Sequence, residues 1–415
     1  MKKIALFLSL AFATATNAVA QKNIYIPKDL KGMDLLCDSS TWSYTRMQCT
    51  DNFAIMWQKG FGYDMSCPPD LEGKPMKVDL ENLKEKLESY YAFFRDSLQF
   101  VKAGSKTEKY RMMVMLNYSL EGTAYGGDYD ETIGALWLAP NRVQDKKLNC
   151  IAHELGHSFQ SQITCDNEGE AWGGCGFFEM TSQWMLWRVN PEWITDENYH
   201  FQAFKNLTHK GFLHLDNIYR SPYVIEWWAE KHGLPSIAQL YREGRRGEDP
   251  AVTYMRKYGM TQKQFNDEMF DCYRHLVNFD FLYARKETRP YACTFSTPMQ
   301  KQANGYLVPD TAYVPENYGF NAIRLDVPKA GKKVSVDFQA QSSNATCGYR
   351  YGLVAVTQDD KCLYSAMGVK PKGSIRLSTP KSAPLKALYM VVMGAPADHS
   401  LDPSSRKFPY AIKVK

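Results

Sequence analysis

His153, Glu154 and His157 lie in the run Ile151-Ala152-His153-Glu154-Leu155-Gly156-His157-Ser158-Phe159. Side chains four residues apart on a helix stand one above the other, so this spacing brings two imidazoles to one point on one face. Two nitrogens converging in that way are what a Zn²⁺ ion takes from a helix. Glu154 sits at the edge of the same face, where it reaches a metal-bound water without ligating the metal. The flanks are apolar at Ile151, Leu155 and Phe159, small at Gly156 and Ser158, and free of proline. Such a helix can be buried beside a cleft. The chemistry these residue types support is metal-assisted hydrolysis with Glu154 as general base.

The elements that must position this motif can be read around it. Val78 to Leu98 carries apolar residues at helical spacing with charges between them. Arg111 to Tyr118 is a compact apolar run that reads as a strand. Gly122, Gly126 and Gly127 mark a loop, and Ile133 to Ala139 reads as a second strand stopped by Pro140. The motif helix is expected over about 145–162. A further helix is expected from Glu179 to Trp187, ending near Asn190-Pro191. Residues 200–275 read as mostly helical, clearest at Tyr223 to His232 and Thr261 to Val277. Beyond residue 295 the texture changes to short alternating runs separated by Gly-, Pro- and Asn-rich turns, the pattern of a β-sandwich.

Strand, loop, strand and H-E-x-x-H helix in this order resemble the zincin metallopeptidases over residues 110–190. The resemblance implies that Gly134-Ala135-Leu136-Trp137 is the edge strand that pairs with an extended peptide. His157 is followed by Ser158-Phe159-Gln160-Ser161-Gln162-Ile163, without the third His of the metzincin branch. The gluzincin, thermolysin-like branch instead takes a Glu from the next helix, which implies Glu179 as third metal ligand beside His153 and His157. Glu170, in an apparent loop, is the rival. Where that branch places an Asp four residues after the Glu, this chain has Gln183, which adds no charge to tune a ligand. An oxyanion donor should come from a later helix, and Tyr219 and His214 lead candidates that also include His209 and Tyr223. The rest of the chain is similar to a group of secreted bacterial proteins of unassigned function that carry a β-sandwich after a zincin-type domain.

Met1-Lys2-Lys3, an apolar run from Ile4 to Phe12, and Ala18-Val19-Ala20 before Gln21 read as a cleavable signal peptide. That start points to a secreted or periplasmic protein cleaved after Ala20. No segment approaches the roughly 20 apolar residues of a membrane span. The 10 cysteines suggest disulfides in an exported chain, with Cys347–Cys362 and Cys165–Cys175 as plausible pairs. A net charge of +5, dispersed along the chain, gives no indication of nucleic-acid binding.

The expected architecture is therefore α+β: a signal peptide over 1–20, an irregular N-terminal segment over 21–76, a zincin-like catalytic domain over 77–295 and an all-β sandwich over 296–415. The expected function is an exported Zn²⁺ metallopeptidase acting on a protein, peptide or glycoprotein substrate. Two alternatives stand beside it. One is a catalytically silent zincin fold acting as an adhesin or glycan-binding protein, and the other is a zinc hydrolase of a non-peptide bond.

Overall fold

The computed structural model describes residues 21–173 and 176–415. The signal-peptide segment and the Cys165–Cys175 pairing lie outside the described residues. The first part of the chain supplies β1 (Met47–Cys49), β2 (Phe53–Trp57), α1 (Leu80–Asp96), β3 (Met112–Leu116), β4 (Ala124–Tyr129), β5 (Ile133–Leu138), α2 (Asn149–Cys165) and α3 (Gly176–Val189). Its sheet runs β1-β2-β3-β5-β4, with β2, β3 and β5 parallel and β4 antiparallel to β5. Every residue of β2 and β3 is buried, which is why both read as unbroken apolar runs rather than alternating ones. Asp79 caps α1 by accepting from the Asn82 amide, and that helix turns Leu83, Leu87, Tyr91 and Phe94 into the core. Phe159 of α2 meets Tyr91 and Phe94 edge to face at 5.2 and 5.4 Å, a packing worth about 1 kcal/mol beyond its area.

Seven further helices follow: α4 (Trp193–Asp196), α5 (Asn198–Lys205), α6 (Tyr223–His232), α7 (Ser236–Glu243), α8 (Pro250–Lys257), α9 (Gln262–Leu276) and α10 (Arg285–Thr288). The remaining strands are β6 (Met299–Lys301), β7 (Leu307–Pro309), β8 (Phe320–Leu325), β9 (Lys333–Ala340), β10 (Cys347–Thr357), β11 (Cys362–Tyr364), β12 (Lys372–Ser378), β13 (Leu385–Pro396) and β14 (Tyr410–Val414). They form two antiparallel sheets, β11-β10-β13-β8 and β12-β9-β14-β7-β6. Strand alternation explains how the first of these is buried on both faces. Tyr389, Val391 and Met393 of β13 join the core shared with the helices, while Leu388, Met390 and Val392 join the core between the two sheets. The fold is α+β. Among the described residues no helix is long and apolar enough to cross a membrane.

Five expectations are corrected. The N-terminal segment does more than pack on the sheet, because it contributes β1 and the buried strand β2. Gly126 and Gly127 belong to a strand, not a loop: β4 is the outer strand, and β5, which contains Gly134 to Trp137, lies inside the sheet between β3 and β4. The motif helix starts later, at Asn149, because Leu148 adopts a left-handed backbone with φ 52°. Cys347 and Cys362 are both free. Cys362 pairs with Val356, nine residues along β10 from Cys347, roughly 30 Å at about 3.3 Å per residue. No disulfide occurs among the described residues.

Candidate metal centre

Two close approaches hold α2 in place. A Cβ at Gly126 would lie 1.8 Å from the Glu154 carbonyl oxygen, and one at Gly156 would lie 2.4 Å from Ser182 Oγ. Glycine at these two positions lets β4 and α3 close on opposite sides of the motif helix. The Ser182 hydroxyl donates to the His153 carbonyl, which fixes α3 against α2 and brings its first turn, with Glu179, over the two histidines.

His153 Nε2, His157 Nε2 and Glu179 Oε2 then form a nearly equilateral triangle. The separations are 3.1 Å between the histidine nitrogens and 3.2 and 3.0 Å from each to the carboxylate oxygen. Bonds of about 2.0–2.1 Å to a tetrahedral zinc place neighbouring ligand atoms about 3.3 Å apart. The triangle therefore fits one face of such a tetrahedron, and all three residues line the cleft. These three residues are the group that could hold a metal ion among the described residues.

The hydrogen-bond network around His157 fixes its tautomer. Gln160 donates its amide to the Phe178 carbonyl at 2.8 Å and to the Tyr241 hydroxyl at 2.7 Å. Its Oε1, 2.8 Å from His157 Nδ1, must accept from that nitrogen. The Nδ1 proton is thereby assigned, and Nε2 presents a lone pair to the triangle. Phe178 stacks on the ring at 4.3 Å and 13°. His153 Nδ1 is buried without a close hydrogen-bond partner, and the Gln183 amide interacts with this histidine without adding a charge.

Charge follows the same geometry. Burial alone would raise the Glu179 carboxyl, but the side-chain contacts with His153 and His157 and the positive charge those imidazoles carry when protonated outweigh it and hold the group at about 2. Burial would lower the His153 imidazole, but the bond to Glu179 and the charges of Glu154 and Glu179 outweigh it and raise it. Burial raises the Glu154 carboxyl against the charges of both histidines and the Gly126 N–H.

Glu154 begins a polar stripe along α2. Its Oε2 accepts the Gly126 N–H at 2.8 Å, Ser158 Oγ donates to the Ala135 carbonyl at 2.7 Å, and Gln162 Oε1 accepts the Gly134 N–H at 2.8 Å. Residues spaced by one turn thus stitch the helix to β4 and β5. The triangle, Glu154 and β4 together line a cleft of about 600 Å³.

Of the proposed oxyanion donors, only Tyr219 lines this cleft. Its ring lies 5.9 Å from that of His153, and burial together with the charges of Glu179 and Glu154 raises its phenol, keeping it protonated as a donor. The expectation for His214 is corrected. Its Nδ1 accepts the Asp216 amide at 3.1 Å and its Nε2 lies 3.7 Å from Glu316, so it caps a turn facing the C-terminal sheets. His209 is buried against Tyr313, and Tyr223 is fully buried in the core. Glu170 is likewise removed from the triangle, its carboxylate accepting the Trp172 amide. Glu226 is buried with Trp184 and Arg188. Two residues escaped the sequence reading, Gln160 and His200. Gln160 stands three residues after His157, a spacing that signals contact on a helix. His200 lines the cleft from α5, and no local pattern marks it.

Comparison with known proteins adds a family. No curated protein matches the chain. Among solved structures, a Glycosylation Associate Protein (Gap123) complex from Streptococcus agalactiae is similar at 13% identity and TM-score 0.18, over 29% of this chain and 39% of that one. The ZmpB metallopeptidase from Clostridium perfringens is similar at 14% identity and TM-score 0.33, over 89% of this chain and 69% of that one. The model of a family of unknown function, DUF6055, matches residues 16–415, and the chain belongs to that family.

Proposed function

We propose that the protein is a zinc-dependent peptidase whose metal is held by His153, His157 and Glu179. One observation carries this reading. Three lone-pair donors converge at tetrahedral spacing, and the Glu154 carboxylate, hydrogen-bonded to the outer strand β4, lines the same cleft. A module that only binds has no use for a buried carboxylate with a raised pKa beside a metal site.

A zinc ion in this triangle would supply Lewis acidity, polarising a carbonyl and making a water acidic enough to ionise near neutral pH. The chain's own residues do the rest. Glu154 takes the proton of the attacking water and delivers it to the leaving nitrogen, and its burial suits a group that must hold a proton between those steps. The outer edge of β4, through Ala124 and the Gly126 carbonyl, hydrogen-bonds an extended peptide and sets the scissile bond over Glu154. The Tyr219 hydroxyl donates to the carbonyl oxygen as negative charge builds there. The division into a catalytic unit over 77–295, completed by β1 and β2, and a sandwich over 296–415 belongs to this reading.

The test is cleavage of a randomised peptide library by the wild type, by the wild type with chelator, and by Glu154→Gln. Cleavage that is lost in both of the latter supports the reading. A Glu154→Gln protein that cleaves like the wild type removes it.

A further inference from the structure

The cleft continues past the triangle toward the N-terminal end of α2, and its lining there is charged. Cys150, one turn before Glu154, forms the floor, and Arg142, Glu197, Tyr199 and His200 form the walls. Glu197 is committed within the wall. It accepts from Asn149 Nδ2 at 3.0 Å and Trp193 Nε1 at 3.1 Å, and lies 3.5 Å from His200 Nε2.

Arg142 differs from it. Its Nε donates to the carbonyl of Gly122, a residue whose φ of 68° makes the turn that leads into β4. A Cβ at Gly122 would lie 2.8 Å from Asn141 Nδ2, so the turn and the Asn141-Arg142 segment are packed together. This anchors the guanidinium at the mouth of the β4 groove through one nitrogen. Among the described residues no carboxylate pairs with it, its terminal nitrogens donate no hydrogen bond, and the residue lines the cleft. Its charge acts on the Tyr199 phenol and on the Cys150 thiol. The Tyr199 ring lies 4.2 Å from that of His200, and both residues line the same cleft as Arg142.

A planar guanidinium with two free N–H donors matches a carboxylate in shape and charge. Gly122 and Gly126 are four residues apart, about 13 Å along an extended chain. A peptide paired with β4 over Glu154 therefore brings a residue within about four positions of its scissile bond to Arg142.

We propose that Arg142 reads a substrate carboxylate, so that the preferred peptides carry one, on an Asp or Glu side chain or at a free C-terminus, at this end of the cleft. This rests on the peptidase reading. The two sources share one chemistry and differ in outcome: an acidic side chain gives internal cleavage, and a chain terminus gives release of a short C-terminal fragment.

The experiment digests a randomised peptide library in two forms, with free and with amidated C-termini, and reads the cleaved products by mass spectrometry. The expected wild-type result is enrichment, by about tenfold or more, of Asp and Glu at one position near the cut, or of cleavage at a fixed distance from a free carboxylate. Arg142→Ala should abolish that enrichment, and Arg142→Glu should replace it with enrichment of Lys and Arg. A second measurement does not require turnover. In zinc-loaded Glu154→Gln, a labelled peptide with Glu at that position should bind at least about tenfold tighter than its Gln counterpart, and the added Arg142→Ala change should erase the difference. Wild-type cleavage with no carboxylate preference overturns this inference and leaves the peptidase reading intact. Absence of both cleavage and binding overturns both.

Discussion

Gly126 donates its backbone N–H to Glu154 Oε2 across 2.8 Å, so the outer strand of the sheet and the proposed base form one rigid unit. The same glycine lets the strand approach the helix, because any Cβ there would overlap the Glu154 carbonyl. Gly126→Ala should therefore push β4 off α2. The expected cost is about 1–3 kcal/mol, the range for forced overpacking, together with a loss of activity larger than that of an alanine elsewhere on β4. Chemical denaturation beside a peptide-cleavage assay measures both.

Gln160 holds His157 in the tautomer that leaves Nε2 free for metal. Gln160→Leu removes the acceptor for the Nδ1 proton. Zinc affinity should fall by about 10- to 100-fold, the usual effect of losing such a partner. Competition with a chromophoric chelator gives the number, and an unchanged affinity would place the ligand's orientation under other control.

Tyr219 and His214, equal candidates on sequence alone, should separate sharply. Tyr219→Phe removes a donor that lines the cleft and should lower kcat by about 10²–10³-fold with little change in KM. His214→Asn changes a turn facing Glu316 and should leave kcat within about twofold, since it touches neither the triangle nor the cleft.

Glu226 gives a pH dependence unconnected to the metal. Burial pushes its carboxyl up to about 7 despite the charge of Arg188 and the Trp184 N–H. The folded pKa thus lies above the ordinary 4.5, and the folded state binds the extra proton between those values. Its contribution to stability is complete below about pH 4.5 and is lost as pH rises through about 7, on the order of 3 kcal/mol in all. Glu226→Gln should flatten that part of the curve relative to wild type, measured as denaturation midpoints from pH 4.5 to 8.

What could be read from the sequence divides along physical lines. The two histidines and Glu154 were legible because helical spacing is a local property. The family resemblance pointed to Glu179, which the structure brings to both imidazoles. Beyond residue 320, β9 and β12 are legible by alternation because one face of their sheet is exposed, whereas β10 and β13, buried on both faces, are near-continuous buried runs. β4 was hidden because Gly126 and Gly127 look like a turn, and the glycine there answers to a helix 28 residues later in the chain. His200 was hidden for a similar reason, since its place on the cleft wall depends on how α5 packs. The Cys347–Cys362 pairing fails because the first residue of one strand of an antiparallel hairpin faces the last part of the other, and both cysteines open their strands, so Cys362 sits opposite Val356 at the far end of β10.

The most direct measurement is zinc per chain, by elemental analysis after dialysis, in the wild type and in Glu179→Ala. About one zinc in the wild type and close to none in the variant is the expected outcome, because the variant loses one of three ligands. Equal zinc in both proteins, or none in a folded wild type supplied with the metal, would contradict a centre built from His153, His157 and Glu179.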